Sequence, residues 1–359
     1  MNAMRIIDGD GHVIEDIAGI ERFLPPAYKP YAGKFLSTLF PPMDHFHAAH
    51  LVKMPPEILN RGPVGFEGWV RFLDEVGIER TIMYPTVGLG YGKMVSIEWM
   101  QAATRAYNDW IYATYLERSN RFQAVGLLPL RDPDAAVKEL RRIVKELGMV
   151  GAMLPSTGLA YPLGAREYWP VYEEANRLGC CLGIHGGGHS GLGFDQLNIF
   201  SAIHALGHPV GMMIAFASML FNGVFDRYPN MRIGFMEAGV AWILTMLERC
   251  EGSYKSQPSA DSLIQLEKGE TVRQHILKLI KDGRMFIGCE GDEPELAATI
   301  GVIGSQAFVF SSDFPHEVSA ESCKEEIAEL IENNSLSQAD KAAILASNAE
   351  RLYGLTVAT

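Results

Sequence analysis

Short apolar runs rich in β-branched and aromatic residues recur along the chain, and stretches with apolar positions at three- and four-residue spacing follow them. That alternation marks parallel strand and helix units, because a strand buried on both faces reads as a continuous apolar run, whereas a covering helix is apolar on one stripe only. Eight runs fit: 5–8, 81–85, 122–130, 150–154, 181–185, 232–237, 285–289 and 308–313. Helices are predicted at 134–147, 167–178, 210–221, 240–247, 295–303, 323–333 and 338–353. The clearest is 134–147, where Ala136, Val137, Leu140, Ile143, Val144 and Leu147 repeat at helical spacing behind Asp132-Pro133, a helix start signal. Eight strands, each followed by a helix, predict a (β/α)8 barrel rather than an open doubly wound sheet. No Gly-x-Gly-x-x-Gly follows any strand, and Gly186-Gly187-Gly188 lacks that spacing. The chain reads as one domain, 1–359, with insertions at 13–79 and 251–282. The first holds Pro25-Pro26, Pro41-Pro42 and Pro55-Pro56 with many aromatics, so it is expected to form a lid, whose Phe40, Phe46 and Phe66 suggest an aromatic or unsaturated acid as substrate; the second is charged and partly helical, and is expected at the periphery.

Composition narrows the function classes. Of 359 residues, 48% are apolar, and 43 Asp and Glu against 31 Lys and Arg give a net charge of −12. That sign opposes a phosphate backbone and an anionic membrane surface, so neither nucleic acid nor membrane is an expected partner. The apolar stretches, such as 125–130 and 211–221, are shorter than the roughly 20 residues that span a bilayer. Residues 1–20 carry acids where a signal peptide needs an apolar core, which predicts a cytoplasmic protein. Five cysteines, two of them adjacent at 180 and 181, predict reduced core thiols.

In a barrel the active site lies at the C-terminal ends of the strands. Strand one leads into Asp8-Gly-Asp10-Gly-His12, and strand alternation points Asp10 and His12 the same way. Strand five ends at His185, strand six at Glu237, and strand eight in Ser312-Asp313-Phe-Pro-His316. Asp10, His12, His185 and Asp313 form a nitrogen and oxygen ligand set suited to Zn2+, with Mn2+ or Fe2+ as alternatives. Taken singly, such an Asp is a turn former and such a His a hydrogen-bonded core residue. Four at the ends of three strands are a stronger signal, since converging carboxylates repel without a cation. Glu237 is read as a proton-transfer group, as a ligand to a second cation, or as a carboxylate paired with an Arg or capping the next helix. His189 and His316 lie near the expected pocket mouth as substrate contacts. His45, His47 and His50 cluster in the lid, read as imidazoles placed over the pocket, as metal ligands or, equally well, as part of a polar loop. His204 and His208 share a helix face if the segment is helical, but Pro209 suggests a break. Trp242 reads as packing.

Asp10-Gly-His12, His185 and Ser312-Asp313-Phe-Pro-His316, with Phe225-Asp-Arg-Tyr-Pro229 ahead of strand six, resemble the amidohydrolase-related family over nearly the whole chain. The resemblance implies a barrel holding one catalytic metal through Asp10, His12, His185 and Asp313, a small-molecule substrate and a homodimer. Relatives hydrolyse C–N or C–O bonds, decarboxylate aromatic or unsaturated acids, or hydrate double bonds. Two departures stand out. Asp10 replaces the His or Glu that opens the motif in relatives, and Phe235 is the nearest match to the strand-six His of the decarboxylases. The expected function is therefore hydrolysis of a small organic acid, amide or ester: Asp313 takes a proton from metal-activated water, and Glu237 or His189 protonates the leaving group. Non-oxidative decarboxylation is the first alternative; a two-metal oxygenase or a non-catalytic barrel subunit is the second.

Overall fold

The computed structural model describes residues 4–29, 39–42, 64–189, 191–257 and 260–356. Eight parallel strands pair in sequence order: β1 (Ile7–Val13), β2 (Arg80–Pro85), β3 (Phe122–Gly126), β4 (Gly151–Pro155), β5 (Cys181–His185), β6 (Arg232–Phe235), β7 (Met285–Cys289) and β8 (Phe308–Phe310). The ring closes just beyond β8, where the His12 amide donates to the Phe314 carbonyl at 2.7 Å and the Asp313 amide to the Asp10 carbonyl at 3.0 Å. With helices around the outside, this is the expected (β/α)8 barrel. Its interior is tightly filled: a Cβ at Gly183 would lie 2.0 Å from the Tyr84 hydroxyl. That hydroxyl is 3.0 Å from the hydroxyl of Tyr353, which donates to the Gly9 carbonyl at 2.6 Å, so the C-terminal helix Asn348–Tyr353 is tied into the barrel.

Local signals explain most outer helices. Pro133–Lys145 starts where Asp132 accepts from the Ala135 amide, and Trp169–Leu178 ends at Gly179 in the left-handed conformation, φ 62°. Four expectations need correction. Strand one, read as 5–8, runs on through Asp10 and His12, with a bulge between Asp8 and Gly11. Strands three, six and eight are shorter than read: β3 ends at Gly126, and the chain turns before Glu237 and Asp313. The helix read as 210–221 begins at Phe200 and continues through Pro209; the one carbonyl that Pro209 leaves unbonded is offset by burial of Ile203, Gly207, Gly211 and Met212. By length and apolar content this helix reaches the size of a membrane span, but half of its apolar window is buried against the protein, as in a core helix.

The fourth correction concerns the insertions. Within 13–79, Gly65–Val76 is an outer barrel helix with Trp69, Phe72 and Leu73 buried, and Phe72 stacks on Phe314 at 3.7 Å. Phe66 lies against Phe122 and under Arg118, so it is no lid residue, and Phe40 is buried 6.2 Å from Tyr107. Within 251–282, Val272–Lys281 buries Val272, Ile276, Leu279 and Ile280 ahead of β7, and is barrel rather than periphery. Phe46, His45, His47 and His50 lie outside the described residues.

Candidate metal centre and its pocket

Among the described residues, seven titratable side chains meet at the C-terminal end of the barrel. Asp10 and His12 come from β1, His185 from the end of β5, His208 from the helix Phe200–Phe221, Glu237 from the turn after β6, and Asp313 and His316 from the turn after β8. His12 Nε2 lies 3.5 Å from Asp10 Oδ1 and 3.4 Å from Asp313 Oδ1. His185 Nε2 lies 3.6 Å from Asp10 Oδ2 and 2.9 Å from Glu237 Oε2, and His208 Nε2 is 3.6 Å from Glu237 Oε1. Asp10 Oδ1, His12 Nε2, His185 Nε2, Glu237 Oε2 and Asp313 Oδ1 are buried without an aligned hydrogen bond. Buried polar atoms are normally paired, so a cluster of orphaned donor atoms of this type fits a cation. The tautomer of His12 agrees: Nδ1–H donates to the Pro85 carbonyl at 2.9 Å, which leaves the Nε2 lone pair facing the cluster.

Burial and neighbouring charge set the protonation states. Burial raises Asp10 to about 7 and Asp313 to about 6, and lowers His12. Burial alone would also lower His185, but Asp10 and Glu237 outweigh it and bring the imidazole to about 10. Glu237 is held well below its ordinary range despite burial, by His208 and His185. His316 Nδ1 sits 2.7 Å from Asp313 Oδ1; that carboxylate outweighs the cost of burial and raises the ring to about 9, while Nε2 faces Thr86 Oγ1 at 3.0 Å. Glu237 and Asp313 have φ of 51° and 52°, the two non-glycine positive values among the described residues. Such strain concentrates at functional sites.

The supporting residues were not singled out from the sequence. Asp8, fully buried, accepts from Thr81 Oγ1 at 2.6 Å, the Ser312 amide at 2.8 Å, Ser312 Oγ at 2.9 Å and the Asp10 amide at 3.2 Å. It ties β1 to β2 and to the Asp313 turn. Glu15 accepts from the amides of Val87 and Gly88, fixing the loop after β2. The expected proton-transfer positions are redistributed. Phe235 is buried against Phe216 and Trp242, away from the cluster, so Glu237 is the residue that strand six brings to the site. His208, discounted for Pro209, stands beside it. His204 lines the cavity with Phe200. His189 is buried off the cavity lining, 3.1 Å from Thr157 Oγ1 and with its ring 6.4 Å from that of His208. Trp242 packs, as expected.

The cluster opens into a cavity of about 980 Å³, lined by Asp10, His208, Glu237 and Asp313 at one end and by Phe200, His204, Pro209, Val318 and several glutamates elsewhere. The barrel and its donor set define a metal-dependent barrel enzyme. The chain belongs to the amidohydrolase family, whose model matches residues 7–355, and is a hydrolase or a carboxy-lyase. It is 27% identical over 69% of its length to 2-amino-3-carboxymuconate-6-semialdehyde decarboxylase of Dictyostelium discoideum, 65% of which is covered. It is 27% identical over 80% of its length to gamma-resorcylate decarboxylase of Polaromonas, 86% of which is covered. In structure it resembles 5-carboxyvanillate decarboxylase of Sphingomonas paucimobilis at a TM-score of 0.76 and 18% identity, covering 99% and 100% of the two chains. It also resembles a Polaromonas dihydroxybenzoic acid decarboxylase with bound manganese and 2-nitroresorcinol, at a TM-score of 0.66 and 20% identity, covering 100% and 98%.

Proposed function

We propose that this enzyme is a metal-dependent, non-oxidative decarboxylase of an aromatic or conjugated unsaturated acid. The observation that carries the reading is the orphaned donor set at the barrel mouth in a chain similar over 69% and 80% of its length to two decarboxylases. The case for hydrolysis rested on Phe235 in place of a strand-six imidazole, and that case lapses with Phe235 in the core and Glu237 beside His208.

Asp10, His12, His185 and Asp313 are the residues assigned to hold one divalent cation, Mn2+ first and Zn2+ next. A cation held there would supply Lewis acidity toward the substrate's carboxylate. Loss of CO2 leaves an electron pair on the ring or vinyl carbon, which must take a proton. His208 and Glu237 line the cavity with Nε2 and Oε1 3.6 Å apart, and they are the groups assigned to deliver a proton to that carbon. His316 keeps Asp313 as a carboxylate, and the Asp8 clamp fixes the Asp313 turn. The apolar wall at Phe200 and Val318 suits a planar conjugated substrate and limits water. Enzyme loaded with Mn2+ or Zn2+, incubated with 2,6-dihydroxybenzoate and a panel of hydroxybenzoates, is expected to release CO2 in step with loss of the acid's absorbance. Release of an amine or alcohol from amides or esters, with no CO2 from any acid, overturns the reading in favour of hydrolysis.

A further inference from the structure

His208 reaches the cluster from a helix outside the strands, and its rear nitrogen is not tied down. His12 Nδ1 has the Pro85 carbonyl, whereas His208 Nδ1 is buried with no hydrogen bond among the described residues. The rings of His185 and His189 meet it edge-on, with centroids 5.8 Å and 6.4 Å away. Packing therefore sets its place, and the closest packing is at Gly186, the residue after His185. A Cβ at position 186 would lie 2.1 Å from His208 Nδ1 and 2.2 Å from Cε1, far inside contact distance. Gly186 is not among the glycines in the left-handed region, so its conformation does not require glycine and the missing side chain serves space. The same helix repeats the arrangement three residues on, on the same face. A Cβ at Gly211 would lie 2.6 Å from Ser156 Oγ, and the Ser156 amide in turn donates to the His185 carbonyl at 2.8 Å. Inside the helix Phe200–Phe221 alanine is intrinsically the better residue, so this glycine too serves close approach. The two glycines let the helix settle on the ends of β4 and β5, which brings His208 Nε2 to 3.6 Å from Glu237 Oε1.

We infer that Gly186 is a positioning residue: the space it leaves sets the reach of His208 to Glu237, and a side chain at 186 moves the imidazole off that carboxylate. The use made of the pair rests on the decarboxylase reading; the seat itself does not. A methyl group at 186 is fixed to the backbone and has no rotamer to escape into, so the part that yields is the His208 ring. A displacement of about 1 Å is enough to slow a step that needs aligned groups by about 100-fold.

The test compares the Mn2+-loaded parent with Gly186→Ala, His208→Ala and the double variant by thermal melting, Mn2+ content and turnover of the acid that the parent decarboxylates fastest. Gly186→Ala is expected to lower the melting temperature of the parent by about 2 °C or more, and that of His208→Ala by less than about 1 °C, because removing the ring removes the clash. A Gly186→Ala chain that is soluble only together with His208→Ala is the same result, and His208→Ser takes the place of His208→Ala if that variant does not fold. With Mn2+ content and KM near the parent's, kcat is expected to fall about 10- to 100-fold in Gly186→Ala, but less than about twofold when Gly186→Ala is added to His208→Ala. An equal melting cost in both backgrounds, loss of Mn2+ along with activity, or an unchanged kcat overturns the inference. A melting cost confined to the parent background, with no CO2 released from any acid, supports the seat and refutes the decarboxylase reading, so the two failures are distinguishable.

Discussion

Replacement of Asp8 separates support of the site from the site itself. Its carboxylate divides its labour: Oδ1 accepts the amides of Ser312 at 2.8 Å and Asp10 at 3.2 Å, and Oδ2 accepts the hydroxyls of Thr81 at 2.6 Å and Ser312 at 2.9 Å. Asp8→Ala strands two backbone amides that cannot rotate elsewhere. At about 1–3 kcal/mol per unsatisfied buried group, and with the hydroxyls free to turn, the expected loss is about 4 kcal/mol. Asp8→Asn behaves differently, because its carbonyl oxygen takes the Oδ1 position and keeps both amides, while its NH2 donates to hydroxyls that reverse their own protons. Its expected cost is about 1 kcal/mol. The same contrast should appear in metal binding, since the clamp holds both Asp10 and the Asp313 turn: Mn2+ affinity is expected to fall about 10- to 100-fold for Ala and much less for Asn. Urea unfolding followed by circular dichroism gives the first quantity, and equilibrium dialysis with elemental analysis the second. Equal costs for Ala and Asn, or an Ala variant within about 1 kcal/mol of the parent, would refute the division between the two oxygens.

His185→Ala is expected to leave far-UV circular dichroism unchanged while lowering Mn2+ affinity by more than about tenfold, because the residue ends β5 and supplies a donor atom; unchanged metal content speaks against the ligand assignment. Glu174 accepts from Arg177 and Arg141, and these lower its pKa from 4.5 to about 2. A depressed carboxylate stabilises above its unfolded pKa and loses that contribution as pH falls toward its folded one, so Glu174→Gln should be less stable than the parent at pH 6 and approach it near pH 2. The same difference at both pH values would exclude the ion pairs as its source. Gly151→Ala would place a Cβ 1.8 Å from the Cys181 carbonyl oxygen, a backbone atom with no rotamer to escape into. It is expected to cost more than about 3 kcal/mol or to prevent soluble expression, and a melting temperature close to the parent's would refute that.

The fold was legible wherever apolar runs have sharp ends. β5 and β7 fall at the residues their sequences mark, 181–185 and 285–289. β1 was read too short because Gly9, Asp10 and Gly11 have the composition of a turn; a bulge and the Asp8 hydrogen bonds hold that segment in the sheet instead. The helix at Phe200 was cut at Pro209, since a local rule about one missing donor was weighed without the burial of the surrounding face. Phe66 was placed in a lid by its company of prolines and aromatics, whereas helical spacing with Trp69 and Phe72 puts its segment on the barrel wall. In each case tertiary burial overrode the local signal.

The site was half legible for a related reason. Asp10, His12, His185 and Asp313 could be collected because each ends or follows a strand on the catalytic face, and strand alternation fixes where such side chains point. Glu237 was collected as well, as the end of strand six, but it reaches the centre by a different geometry, and His208 was discounted for Pro209. Alternation continued past Phe235 would predict a strand through residue 237, but β6 stops at Phe235 and Glu237 takes a φ of 51°; with that turn its carboxylate lies 2.9 Å from His185 Nε2. Asp313 does the same after β8, at 52° and 3.4 Å from His12. A left-handed conformation costs a non-glycine residue about 1–3 kcal/mol and is kept only where the surroundings enforce it. Here the strain falls on two carboxylates that reach one centre from different turns, which is the arrangement expected if their positions are set before any ligand arrives. No pattern of apolar and polar positions encodes that choice. It follows from closing eight strands around a centre that needs more carboxylates than strand ends alone supply.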